Sequence, residues 1–219
     1  MERLIPMLSA SEKERAERYY FDRDRNASIV SRATLRMLLG RYLGVPPADV
    51  RFDYGTHGKP LLHRAHGTSL DFNLSDTSDL VLYAFTAGAP LGVDVERVRA
   101  MEDQDRVAAT VFSATEMAAF SQLSGTRRVQ GFWNGWTRKE AFIKAVGEGM
   151  SLPLKTFDVT LAPEEPPVLL DVRTPGHDAN WTLYALHPTS EHIAALAVRG
   201  EPKRLQCFAW SDLCLPKAR

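Results

Sequence analysis

Gly92-Val93-Asp94-Val95-Glu96 and Trp136-Thr137-Arg138-Lys139-Glu140-Ala141-Phe142-Ile143-Lys144 are the two stretches that decide both the fold and the chemistry. In a strand, alternate side chains share a face. Val93 and Val95 are therefore expected to enter a core, while Asp94 and Glu96 point together to the other side. Two carboxylates on one face repel unless arginines or a metal neutralise them. Mg²⁺ takes one or two protein carboxylates together with substrate phosphates. Taken alone, the pair reads first as an ordinary charged strand face. The second stretch belongs to a helix predicted from about Val129 to Val146 and closed by Gly147 and Gly149. Phe132, Trp136, Ile143 and Val146 form its apolar stripe. Glu140 and Lys144, four apart, share another face. Alone they amount to an i,i+4 ion pair of ~0.3 kcal/mol. Together with the strand they offer a third carboxylate for a metal and a cation for phosphate oxygens.

Working outward, Ser9 and Glu12 have the spacing of a capping box that starts a helix running toward Phe21. Ile29, Ala33, Met37, Leu38 and Tyr42 recur at helical spacing over about Ser28 to Leu43, before Gly44 and Pro46. The seven arginines between Lys13 and Arg41 mostly read as a solvated face. After Val50 the pattern changes to strands and turns. GTHGKP is a turn signal. SLDFNLSD alternates Leu70, Phe72 and Leu74 with polar residues, as a half-buried strand does. LVLYAFTA and LGVDVERV follow as strands. Residues from about Glu102 to Leu123 read as helical, with Ser113 and Glu116 as a second capping box. TFDVTL, WTLYALH and HIAALAVRG return to strands. Each half thus holds helices and a small sheet, an α/β (α+β) chain with its hinge at Ala87 to Pro90. The halves are residues 1–88 and 89–219.

With 219 residues, 44% hydrophobic and 25% charged, the chain is long enough for a real core. Its 27 Lys and Arg balance 27 Asp and Glu, so global charge argues neither for nucleic acid nor for a membrane surface. No apolar run approaches the roughly 20 residues of a membrane span. The opening MERLIPMLSASEKERAERYY has no long apolar core or small-residue cleavage site, so a cytoplasmic protein is expected. Cys207 and Cys214 have neither CxxC nor zinc-ligand spacing and read as free thiols. GxxxxGK[ST] and the protein-kinase signatures are absent.

The sequence WTRKEAFIKAVGEGMSLPL, residues 136–154, resembles the second signature of the Sfp-type 4′-phosphopantetheinyl transferases, and LGVDVERV, residues 91–98, resembles their first. The spacing between them is also that of the family. Gly58-Lys59-Pro60 and Phe72-Asn73-Leu74-Ser75 add to the resemblance, which runs from about Ser11 to Phe157.

The resemblance implies two similar α/β halves in a pseudo-twofold arrangement, with coenzyme A bound between them. It implies that Asp94, Glu96 and Glu140 hold Mg²⁺, or Mn²⁺ in its place, and that Asp94 faces the pyrophosphate of coenzyme A. A carrier-protein serine would attack the β-phosphate, and adenosine 3′,5′-bisphosphate would leave. Glu140 is the first choice for the base and Glu96 the second, with Lys144 on the departing phosphate. Gly58, Lys59, Pro60, Asn73, Ser75 and Asp76 are assigned to coenzyme A, with Lys13, Arg15 and Arg25 near its 3′-phosphate. The partners implied are apo acyl or peptidyl carrier proteins, served by a monomer. Arg127, Arg128, Met117, Phe120 and Leu123 are candidates for the carrier surface, the three apolar residues reading equally as core. Asp76 stands where the family usually has His, and Ala27 where it has a second Arg. The family's opening strand is short or missing. These departures leave open a catalytically weak, coenzyme A-binding regulatory relative.

Overall fold

The computed structural model describes residues 1–177, 180–201 and 204–210; Cys214 lies outside them. The capping box forms as its spacing predicts. Ser9 N–H donates to Glu12 Oε2 at 2.8 Å, Glu12 N–H donates to Ser9 Oγ at 3.3 Å, and α1 (Ala10–Glu17) follows. Helix α2 (Asp22–Leu43) begins ahead of the apolar periodicity. Asp22 and Asp24 lie in its first turn, where acids complement unpaired N–H groups. It ends at Gly44, whose φ of 67° suits glycine. Arg36 does not join the solvated arginines. It is buried and donates to Glu12 Oε2 at 2.7 Å, Pro47 O at 3.0 Å and Val50 O at 2.9 Å. One guanidinium thus ties both helices to the chain that leaves them.

Two antiparallel hairpins follow, β1 (Phe52–Tyr54) with β2 (Pro60–Leu62) and β3 (Leu70–Asp76) with β4 (Val81–Ala87). Strand β5 (Leu91–Arg97) opens the second half. The single helical stretch expected before α5 is in fact two helices, α3 (Gln104–Val111) and α4 (Ala114–Ser121). Ser113 caps α4 with Glu116 in a second complete capping box, so the chain turns there. Helix α5 (Gly125–Val146) is 22 residues long, like α2. The chain ends in β6 (Phe157–Val159), β7 (Leu169–Val172), β8 (Trp181–Thr189) and β9 (His192–Arg199). Strand β7 carries no signal read in the sequence. The main sheet has the order β5-β9-β8, all antiparallel. Among the described residues no helix is long and apolar enough to cross a membrane.

The larger core lies between α5, the preceding helices and this sheet, and is built on Phe112, Phe120, Phe132, Phe142 and Phe157. Phe120 and Leu123 are part of it, which removes these two from the carrier surface, while Met117 packs against it and stays half-buried. Arg127 pairs with Glu164. Arg128 pairs with Asp105 at 2.7 Å and lies 4.0 Å from the Phe120 ring centre. Both arginines have structural duties.

The chain before and after Ala87–Pro90 meets along β3 and β5. Asp71 Oδ2, Asn73 Oδ1 and Ser75 Oγ accept from the backbone N–H of Leu91, Val93 and Val95 at 3.2, 2.9 and 3.3 Å. The constant offset means that the two strands run in the same direction. The polar side of LDFNLSD therefore does not face water. It takes the place of a backbone ladder, and Asn73 and Ser75 are buried.

Lys139 is the most deeply buried of the core cations. It is fully buried and donates to Leu154 O and Phe157 O, both at 2.7 Å, beside Glu116 Oε2 at 2.8 Å. Burial pulls its pKa down and pushes that of Glu116 up, each partly offset by the other. Removing one member leaves the other uncompensated. Lys139→Met is expected to cost about 3–5 kcal/mol, read by urea unfolding. Adding Glu116→Leu should recover part of that loss; a double variant as unstable as the sum of the singles contradicts the coupling.

Candidate functional site

Gly92 fixes the distance between β5 and α5. A Cβ at this position would lie 2.2 Å from Ala141 O and 2.3 Å from Ala145 N, so only glycine allows strand and helix backbones to touch here. Two residues along the same strand face, Asp94 meets Lys144 of the same helix. Val93 and Val95 are buried as the alternation predicts. Asp94, however, is also buried, with 4% of its surface exposed. Lys144 Nζ donates to Asp94 Oδ1 at 2.6 Å and to Ser75 Oγ at 2.9 Å. Ser75 Oγ in turn donates to Asp94 Oδ1 at 3.0 Å. Ser75 from β3 and Lys144 from α5 thus converge on one oxygen of Asp94 in β5.

Glu96 and Glu140, both half-buried, belong to the same electrostatic cluster. Burial pushes the Asp94 carboxyl up, against the pull of Lys144 and Ser75. Glu96 and Glu140 are raised first by burial and then by the charge of Asp94, with Lys144 opposing in both. Lys144 thus acts on all three acids, and Glu96 is further eased by a Trp136 hydrogen bond and by Arg99, yet all three remain raised.

Among the described residues, no group of three or more His, Cys, Asp and Glu side chains is already arranged to hold a metal ion. Lys144 instead neutralises Asp94 directly. The donor chemistry still suits a hard cation. The donors are all carboxylate oxygens, and Asp94 Oδ2 is buried without a hydrogen-bond partner. A divalent ion there would satisfy that oxygen and reverse the raised pKa values.

The remaining candidates separate into groups. Lys59 Nζ donates to Leu91 O at 2.9 Å and lies 3.9 Å from Asp71 Oδ2, so it braces the seam. Burial lowers its pKa, with Asp71 opposing. Gly58 and Pro60 frame its turn, which packs on the loop after α5: the Cβ position of Gly149 lies 3.3 Å from His57 Cβ. Asn73 and Ser75 serve the seam described above. Asp76 lies exposed at the end of β3, turned to solvent. Arg15 lines a cavity of about 290 Å³ with Arg18, Arg32, Ser28 and Tyr54. Arg18 and Arg32 were not singled out in the sequence, where seven arginines at similar spacing gave no reason to prefer them. Lys13 and Arg25 do not line this cavity, and Arg25 pairs with Asp22 at 2.9 Å.

Residues 90–197 match the model of the 4′-phosphopantetheinyl transferase superfamily, and residues 1–87 match that of the 4′-phosphopantetheinyl transferase N-terminal region. The 4′-phosphopantetheinyl transferase HetI of Nostoc sp. is 36% identical over 198 residues, covering 90% of this chain and 81% of its own. The 4′-phosphopantetheinyl transferase Sfp of Bacillus subtilis is 30% identical over 163 residues, covering 73% and 69%. A holo-(acyl-carrier-protein) synthase from Bacillus anthracis, solved in complex with CoA (3′,5′-ADP), is 22% identical with a TM-score of 0.43, covering 50% of this chain and 94% of its own.

Two outcomes test the geometry. Gly92→Ala is expected to cost about 1–3 kcal/mol in urea unfolding by forcing β5 off α5; an unchanged midpoint contradicts the close approach. The raised carboxyls bind protons more tightly in the fold than in the unfolded chain. Their contribution to stability is therefore present at low pH and lost as pH climbs from the ordinary carboxylate range through the raised folded values. Unfolding free energies across that window, without divalent cation, should fall less steeply in Glu140→Gln than in the parent. Equal slopes contradict the shared cluster.

Proposed function

Because this chain belongs to the 4′-phosphopantetheinyl transferase superfamily, we propose that it transfers the 4′-phosphopantetheine arm of coenzyme A to a serine of an apo acyl or peptidyl carrier protein, using the acids around Lys144. The observation that carries this reading is the contact of Lys144 with Asp94 at the seam between residues 1–88 and 89–219, with Glu96 and Glu140 close enough for the charge of Asp94 to raise them. We assign Asp94, Glu96 and Glu140 to Mg²⁺, or to Mn²⁺ in its place. When bound, such an ion neutralises pyrophosphate charge and improves the leaving group.

The rest of the chemistry falls to the chain's own side chains. Glu140 takes the proton of the carrier serine. The serine oxygen bonds to the β-phosphorus, and the bond from that phosphorus to adenosine 3′,5′-bisphosphate breaks. Lys144 already lies at the cluster, so it can follow the charge that grows on the departing phosphate. Arg15, Arg18 and Arg32 outnumber Glu14 and the Arg36-paired Glu12 in a cavity suited to the 3′-phosphate end, which supports Arg15 and adds two arginines to the set. Lys59 and Ser75 keep the seam in register beneath the cofactor, so their part is positioning. We place the reaction in the cytoplasm and in a monomer.

Incubating the protein with coenzyme A, Mg²⁺ and an apo carrier should raise the carrier mass by one phosphopantetheine arm. Glu140→Gln should slow that gain by about 10²–10⁴-fold. No gain on any of several carriers would favour a coenzyme A-binding relative without transferase activity.

A further inference from the structure

On the opposite side of α5 from the acid cluster, Arg138 lines a second cavity, of about 340 Å³. Residues 130, 134 and 138 recur at four-residue spacing and form one stripe of the helix. The other wall is the sheet face of β8 beyond its apolar part, where His187 is exposed, together with Ser190 in the turn to β9. Arg138 is itself 2% exposed. Its Nη1 donates to Thr160 O at 2.6 Å and to Thr160 Oγ1 at 2.9 Å. Its other guanidinium donors have no acceptor among the described residues, and no carboxylate there reaches ion-pairing distance. Glu165, on the cavity wall, acts on it only from further away.

A buried cation without a paired anion is costly, and buried charges are normally paired or bound to a ligand. Among the described residues the other buried lysine and arginine are matched: Arg36 by Glu12 and Lys139 by Glu116. At Arg138 no carboxylate is in contact, Glu165 acting only from further along the cavity wall, and the guanidinium lines a cavity whose walls also carry Gln130, His187 and Ser190, while Asn134 there already donates to Leu161 O at 3.1 Å. Donors on a helix, a strand and a turn surround a tetrahedral oxyanion on several sides. A planar carboxylate would use mainly the guanidinium fork. The geometry points to a phosphate-type oxyanion site at Arg138, separate from the acid cluster and independent of the reaction assigned to it.

Inorganic phosphate titrated into the ¹⁵N-labelled protein tests this site. Saturable shifts are expected at the amides of Asn134, Arg138 and His187. His187→Glu, an exposed change that places a carboxylate in the cavity, should weaken that binding by at least about tenfold while leaving carrier modification intact. Arg138→Gln, which keeps a donor for Thr160, should weaken it comparably. Non-saturating shifts, shifts confined to the cavity of Arg15, Arg18 and Arg32, equal binding of acetate, or an affinity unchanged by His187→Glu would each overturn the assignment.

Discussion

The ammonium of Lys144 on Asp94 Oδ1 is the contact through which the candidate site is assembled. It exists because Gly92 lets a strand backbone touch a helix backbone, with no room even for a methyl group. The same strand offers its other N–H groups to Asp71, Asn73 and Ser75, so the geometry of the acids is set by both halves at once. A shift of β5 by one residue would exchange Val93 and Val95 for Asp94 and Glu96 on each face. The side-chain seam and the Gly92 contact both oppose that shift.

The electrostatics follow from this packing. Asp94 is buried because the seam covers it, and its charge then raises Glu96 and Glu140. Lys144 offsets part of the imbalance, yet Asp94 Oδ2 remains without a partner. Elsewhere in the core the same problem is solved internally: Lys139 with Glu116 and two carbonyls, Arg36 with Glu12 and two more. An acid cluster left short of positive charge is costly for stability and suited to binding a cation.

Much of this was legible from residue patterns. Both capping boxes, the stop at Gly44 and the alternation of Val93 and Val95 depend on local stereochemistry, which the sequence carries directly. The strand alternation placed Asp94 and Glu96 on one face, and the helical spacing placed Glu140 with Lys144. What could not be read depends on contacts between segments far apart in the chain. Asn73 and Ser75 look like the wet side of a strand until β5 is laid against them. Arg36 and Arg138 look like surface arginines until α1 or the loop at Thr160 covers them. Phe120 and Leu123, weighed both as carrier surface and as core, are decided by α5, which lies over them.

The most direct test of the acid cluster is a calorimetric titration of Mg²⁺ into the protein with coenzyme A present, run in two buffers of different ionisation enthalpy. Three carboxyls held above their ordinary pKa should take up one ion per chain and release protons as they do so, and Asp94→Asn should abolish both signals. Binding without proton release, or binding unaffected by Asp94→Asn, would contradict the assignment of these acids to a divalent ion.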